Sequence, residues 1–289
     1  MKIKRNWVKL MKATISIILS VSIFFHCTST LAKDDSIGFQ IEMLPWEKVN
    51  DILPKFSKFT VLDVETGKRF DVQRRAGSRH ADVQPLTSED TKIMKGIYSG
   101  KWSWKRRAII IIHKNQWIAA SMHGMPHGAG ALENNFGGHF CIHFYGSKTH
   151  RKNNMDLSHK LMIFKAAGIL KEYANNADPQ EVISAYLAGI KQQDLQLISS
   201  FSLQRLDGKE SISFIENINL KYMSVPPSKD IGNELMLEVP IEIEVFFKNL
   251  EKKVFKEKIY LVRFSYMDVW KVDSIRFFKE CRLFSEMNQ

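Results

Sequence analysis

Cysteine is nearly missing from this chain, with Cys27, Cys141 and Cys281 the only three in 289 residues. That is too few for a disulfide framework, and a chain of this length can bury enough apolar surface without one. There is no internal repeat and no low-complexity linker, which leaves ordinary globular domains. Zinc-finger spacings and the aromatic-basic signatures of nucleic-acid modules are absent as well, so nucleic acid is not an expected partner. The longest apolar run, Ala13 to Phe25, is too short to span a bilayer comfortably.

What is present begins with that run. Lys2, Lys4, Arg5, Lys9 and Lys12 precede it without an acid, and Thr30-Leu31-Ala32 follows it as a small-x-small cleavage signal. Residues 1–32 therefore read as a secretory signal peptide. The alternative is an uncleaved N-terminal anchor that keeps the chain near the membrane. Lipidation at Cys27 is disfavoured by His26, which stands where such processing needs a small residue. Cleavage would take the formal charge from +11 to about +6, a moderately basic surface suited to anionic wall polymers outside the cell. A bridge between Cys141 and Cys281 is conceivable there, but it would tie the middle of the chain to its extreme end, and a free Cys141 is expected.

The remaining chain divides near Asn175-Asn176-Ala177-Asp178-Pro179, where a helical segment from about 156 to 173 ends and Asp178 can cap a new helix with Pro179 in its first turn. The expected domains are 33–176 and 177–289. In the first, 59–64 and 69–74 alternate around Thr66-Gly67-Lys68 as a hairpin. Residues 87–98 read as a helix with a Thr87/Asp90 capping box, 108–112 and 117–121 as paired strands, and 140–144 as a short strand after the loop 134–138. In the second, 179–199 has helical apolar spacing, and strand-like runs follow at 212–223, 235–247, 254–264 and 269–278. The fold class expected is α+β: a mostly-β domain, then a helix backed by a curved antiparallel sheet. That second pattern resembles the NTF2-like and cystatin-like domains.

Histidine is concentrated where cysteine is scarce. Eight of nine fall between His80 and His159, and Cys141 sits among His123, His127, His139 and His143. A cysteine nucleophile needs a neighbouring base or positive charge, which imidazole supplies near neutral pH. His139, Cys141 and His143 share one face of a strand because side chains alternate, and His123 and His127 arrive from another segment. Successive N–H groups of Phe140 and Cys141 are candidates for an oxyanion site. His113, His150 and His159 read as ordinary core or surface residues.

These residues resemble the L,D-transpeptidases of the YkuD type over roughly 57–165. The family signature is a His-Gly pair, a loop, then Ser/Thr-His-Gly-Cys, an apolar residue and Arg or Asn. His123-Gly124 stands eighteen residues before Cys141, and His139-Phe140-Cys141-Ile142-His143 occupies the second block. Gly138 replaces Ser or Thr, Phe140 replaces glycine and His143 replaces Arg or Asn. If that glycine position required a positive φ, Phe140 would be strained there. The resemblance implies Cys141 as nucleophile, His123 as base and His139 as a group shaping the pocket, with His127 a competing base fixed between Pro126 and Gly128. The implied reaction is attack on a peptide bond of a peptidoglycan stem, giving an acyl-enzyme resolved by an amine or by water, with no cofactor.

Two other readings stand beside it. His123-x3-His127, His139-x3-His143 and His80-Ala81-Asp82 contain zinc-ligand types, as a zinc-dependent wall peptidase would need, although Pro126 argues against a helix at the first pair. A catalytically silent wall-binding protein is the third. For it, Trp102 and Trp104, flanked by Lys101, Lys105, Arg106 and Arg107, would stack on sugar rings; equally they could be the inward face of a strand. Phe140, His143 and His80 complete the expected substrate-contacting set, with Arg79 beside His80.

Overall fold

A computed structural model describes residues 40–148, 155–206, 208, 210–227, 230–248, 252–281 and 283. The expected signal peptide, Cys27 and His150 lie outside them. The chain is mixed α and β, with a closed six-stranded antiparallel barrel and a curled four-stranded sheet.

The barrel is built from β2 (Lys58–Asp63), β3 (Arg69–Ala76), β4 (Ala81–Pro85), β5 (Arg106–His113), β6 (Gln116–His123) and β7 (Phe140–His143). Their order is β6-β5-β2-β3-β4-β7, closed by a β6–β7 pairing, and β1 (Ile41–Glu42) adds to β6 in parallel. Alternation decides which side chains fill it. Phe59, Val61, Phe70, Val72, Ala81, Val83, Ile109, Ile111, Ile118, Ala120, Met122, Phe140 and Ile142 make one apolar core, joined by Trp46 and Val49 of α1 (Trp46–Ile52) and Met94 and Ile97 of α2 (Ser88–Ile97). The Thr87/Asp90 capping box forms as expected. The middle of β5 and most of β6 are buried on both faces because their outer face is also covered, by α3 (Leu157–Ala166).

The expected helix 156–173 is two helices, α3 and α4 (Leu170–Asn176), separated by Gly168 at φ +76°. Asp178 and Glu181 box the start of α5 (Pro179–Gln192), with Pro179 in its first turn. That helix also ends early: Gln193 is left-handed, and Asp194 caps a separate α6 (Leu195–Phe201). A short α7 (Glu210–Ser213) leads into β8 (Ile215–Met223), β9 (Met236–Phe247), β10 (Lys253–Val262) and β11 (Lys271–Val272). Leu237, Val239, Ile241, Ile243, Val245 and Phe247 point one way from β9 into a second core that also holds Val182, Ile183, Tyr186 and Ile190 of α5.

The last expected strand, 269–278, is corrected. Only Lys271 and Val272 are strand, and Asp273 then caps α8 (Ser274–Glu280), its carboxylate accepting from Arg276 N at 3.1 Å. Phe277, Phe278 and Cys281 recur at helical spacing and pack into the second core. Both described cysteines are free, so the alternative of a Cys141–Cys281 bridge is set aside. Charge joins the two layers: Lys165 Nζ of α3 meets Asp194 at 2.5 Å and Glu65 at 3.1 Å, and Arg107 of β5 meets Asp63 at 2.6 Å and Glu65 at 3.0 Å.

Candidate active site on the outer barrel wall

The faces of β4, β6 and β7 that do not fill the barrel carry polar side chains. Since Ala81 and Val83 point inward, His80 and Asp82 point outward; Phe140 and Ile142 inward leave Cys141 and His143 outward; Ile118, Ala120 and Met122 inward leave Ser121 and His123 outward. Register brings these together. Asp82 lies opposite Cys141, and His143 opposite Ser121, with the His80 and His143 rings stacked at 4.5 Å. His159 of α3 stacks on His143 at 3.8 Å and bonds Ser121 Oγ through Nδ1 at 2.9 Å. His159, expected to be an ordinary histidine, is thus part of the cluster, and only His113 of the described histidines stays outside it, at the far end of β5.

Cys141 Sγ lies 3.3 Å from His127 Nε2 and 3.6 Å from Asp82 Oδ1. His127 is held by a loop that doubles back after β6: its N–H donates to His139 O at 3.0 Å and its carbonyl accepts from His139 N at 2.8 Å. Its Nδ1 bonds the Met125 carbonyl at 3.0 Å. A carbonyl can only accept, so Nδ1 carries the proton and Nε2 presents a lone pair to the thiol. Of the two competing bases, His127 is the one in hydrogen-bond reach. His123 Nδ1 instead accepts Met125 N–H at 3.3 Å, and its ring stands 5.2 Å from that of His127. His139 is half-buried, with Nδ1 on the Ala129 carbonyl at 3.1 Å and Nε2 3.9 Å from Asp82.

Burial, together with the Asp82 carboxylate, pushes the Cys141 thiol well above its ordinary range. The resting group is therefore a thiol, with His127 Nε2 at 3.3 Å from it. Burial also pushes His123 and His159 well below the imidazole range, Arg106 and the neighbouring imidazoles adding to it. Both are neutral at neutral pH.

Gly138 explains one departure from the resembled motif. It sits at φ +130°, and a Cβ there would lie 2.5 Å from the His127 carbonyl oxygen, so no serine or threonine fits without moving the base. Phe140, standing where the family has glycine, is in extended backbone with no positive φ. The expected strain is therefore not there. Its ring is fully buried against Phe70 and Phe136, which removes the side chain from substrate contact. Successive N–H groups of an extended strand point to opposite edges, so Phe140 and Cys141 do not supply a paired oxyanion site.

The other expected contacts also move. His80 and His143 are 1% and 3% exposed, inside the wall and away from any polymer. Trp102 precedes β5 and packs edge-on against Phe136, with Lys95 Nζ 5.5 Å from its ring centre. Trp104 is 49% exposed, its ring 4.7 Å from His123 and 5.4 Å from His127. It forms the rim of the site. Arg79 is exposed and enters through its carbonyl, which accepts Lys148 N–H. His123 ends β6 and His127 lies in an isolated bridge with His139, so the first pair shares no helix; Cys141 and His143 lie on one face of β7, with His139 just before it. Asp82 was legible only as a neighbour of His80; its place opposite Cys141 comes from the β4–β7 register.

No protein-family model, no curated protein and no solved structure matches the chain.

Proposed function

We propose that this is a secreted, wall-facing cysteine acyltransferase or hydrolase of the L,D-transpeptidase kind, acting on peptidoglycan stem peptides, with an NTF2-like second domain. The observation that carries the reading is the 3.3 Å approach of Cys141 Sγ to a His127 Nε2 whose lone pair is aimed by the Met125 carbonyl. On this reading Cys141 is the nucleophile, His127 the base and the Met125 carbonyl the group that orients it.

In the reaction, Cys141 Sγ bonds to the carbonyl carbon as its proton moves to His127 Nε2. His127 returns that proton to the departing amine nitrogen while the C–N bond breaks, leaving a thioester. An incoming amine or water then bonds to the thioester carbon as its proton moves to His127 Nε2, and the C–S bond breaks as His127 returns that proton to Cys141 Sγ; the amine gives a cross-link and water a trimmed stem. Substrate reaches the thiol past His127 and His139, beside Trp104, because the opposite side is closed by the His80, His143 and His159 stack.

Incubation with defined muropeptides, comparing the chain with Cys141→Ala, tests the reading. Product and a thioester mass adduct are expected only from the unsubstituted protein; equal product from both sinks cysteine catalysis.

A further inference from the structure

Acyl transfer uses the outer side of Cys141 and leaves its inner side, lined by His80, Asp82 and His143, without a task. These four groups are almost wholly buried, between 1% and 7% exposed. One ligand atom from each of His80, Cys141 and His143 lies within 4.8 Å of the other two. Asp82 Oδ1 is 3.1 Å from His80 Nε2 and 3.6 Å from Cys141 Sγ. Tetrahedral zinc, with Zn–N near 2.0 Å and Zn–S near 2.3 Å, separates neighbouring ligand atoms by roughly 3.3 to 3.6 Å. The two Asp82 spacings fall at or near that range, and the ligand atoms of His80, Cys141 and His143 lie within 4.8 Å of one another.

The second shell points the same way. His80 Nδ1 lies 2.9 Å from the Lys148 carbonyl, the partner that fixes a metal-bound imidazole with its other nitrogen turned to the ion. That leaves Nε2 facing a carboxylate. A cation placed there is held by ring nitrogen and carboxylate together. The donor set of two imidazoles, one carboxylate and one thiolate suits a thiophilic divalent ion rather than magnesium or calcium.

We propose that His80, Asp82, Cys141 and His143 form a buried site for a zinc-type divalent cation, and that loading it holds Cys141 as a metal thiolate and withdraws it from acyl transfer. The second half rests on the acyl-transfer reading; the site itself does not. On loading, the S–H bond is replaced by a sulfur–metal bond, and the thiol proton leaves to solvent.

The full chain, stripped with EDTA and titrated with Co²⁺ and Zn²⁺, tests both halves. One ion per chain, a thiolate-to-cobalt charge-transfer band and a zinc-induced rise in melting temperature are expected. The band disappears in Cys141→Ala and His143→Gln and persists in His123→Gln, each checked for folding by circular dichroism. No band and no melting shift in the unsubstituted protein overturns the site, as does a band lost in folded His123→Gln, which places the ion with His123 and His127. Zinc is expected to suppress muropeptide turnover at least tenfold, reversibly with EDTA. Binding without suppression overturns the gating. Stripped protein that binds zinc yet turns over nothing sinks the acyl-transfer reading and the gating with it, and leaves the ion site standing.

Discussion

Gly138→Ala is the sharpest single perturbation of the candidate site, because Gly138 touches neither Cys141 nor substrate yet holds the base in place. At φ +130° an alanine is strained by about 1–3 kcal/mol. Its Cβ would press the His127 carbonyl carbon at 2.9 Å and oxygen at 2.5 Å, contacts that only backbone movement relieves. Such movement breaks the two hydrogen bonds between His127 and His139, each contributing about 0.5–1.5 kcal/mol. The loop therefore either absorbs the strain or lets go of His127; each route costs about 1–3 kcal/mol, and at most about 6 kcal/mol if both losses occur. Urea denaturation reads the stability change, and muropeptide turnover reads the base, whose removal lowers the rate by about 10²–10⁴. Gly137→Ala is the control: nothing lies within 4 Å of its Cβ, and it is expected to be neutral or slightly stabilising. If Gly138→Ala matches Gly137→Ala in both measurements, the backbone account of the site is wrong.

Four further outcomes are expected. His127→Ala lowers muropeptide turnover by about 10²–10⁴ while His123→Ala has a much smaller effect; the reverse ranking would return the base to His123. Phe140→Ala costs about 3–5 kcal/mol of stability in urea as a core cavity and leaves KM of the folded enzyme unchanged, whereas a raised KM with native stability would restore it as a substrate contact. Lys165→Met leaves Asp194 buried beside no cation and costs about 3–5 kcal/mol; adding Asp194→Asn, which keeps an oxygen for the α6 cap, recovers part of it, and full additivity of the two losses would contradict the pairing. His159 is protonated more readily unfolded than folded, so its contribution is complete above about pH 6.5 and is lost as pH falls below that, by at most about 1.4 kcal/mol per pH unit. Stability of the metal-free protein followed from pH 7 to 5 shows that slope, and His159→Gln reduces it; identical slopes would refute neutral burial of the ring.

Strand alternation made the barrel hairpins legible from residues such as Phe59, Val61, Phe70 and Val72, and it put His139, Cys141 and His143 on one face before any coordinates. Helix breaks were hidden, because Gly168 and Gln193 interrupt apolar spacing that continues on both sides of them. The site was half legible. Which histidine meets the thiol depends on a sixteen-residue loop, Gly124 to His139, folding back so that His127 and His139 pair, and sequence spacing carries no such register. His159 escaped notice for a related reason: a lone imidazole on a helix is informative only once that helix is known to cover β6.

The shortness of β7 bears on how the protein reaches its working state. Four residues close the barrel, and Cys141 meets Asp82 across 59 residues of chain. Closing that loop carries an entropic cost that local hairpins such as β2–β3 and β5–β6 do not. The hairpins can form while β7 is still unpaired, so the thiol meets the Asp82 carboxylate only in the step that seals the wall, whereas His127 is a local neighbour. Under the proposed reading, the full surroundings of Cys141, with Asp82 on one side and His127 on the other, are complete only once the barrel is closed.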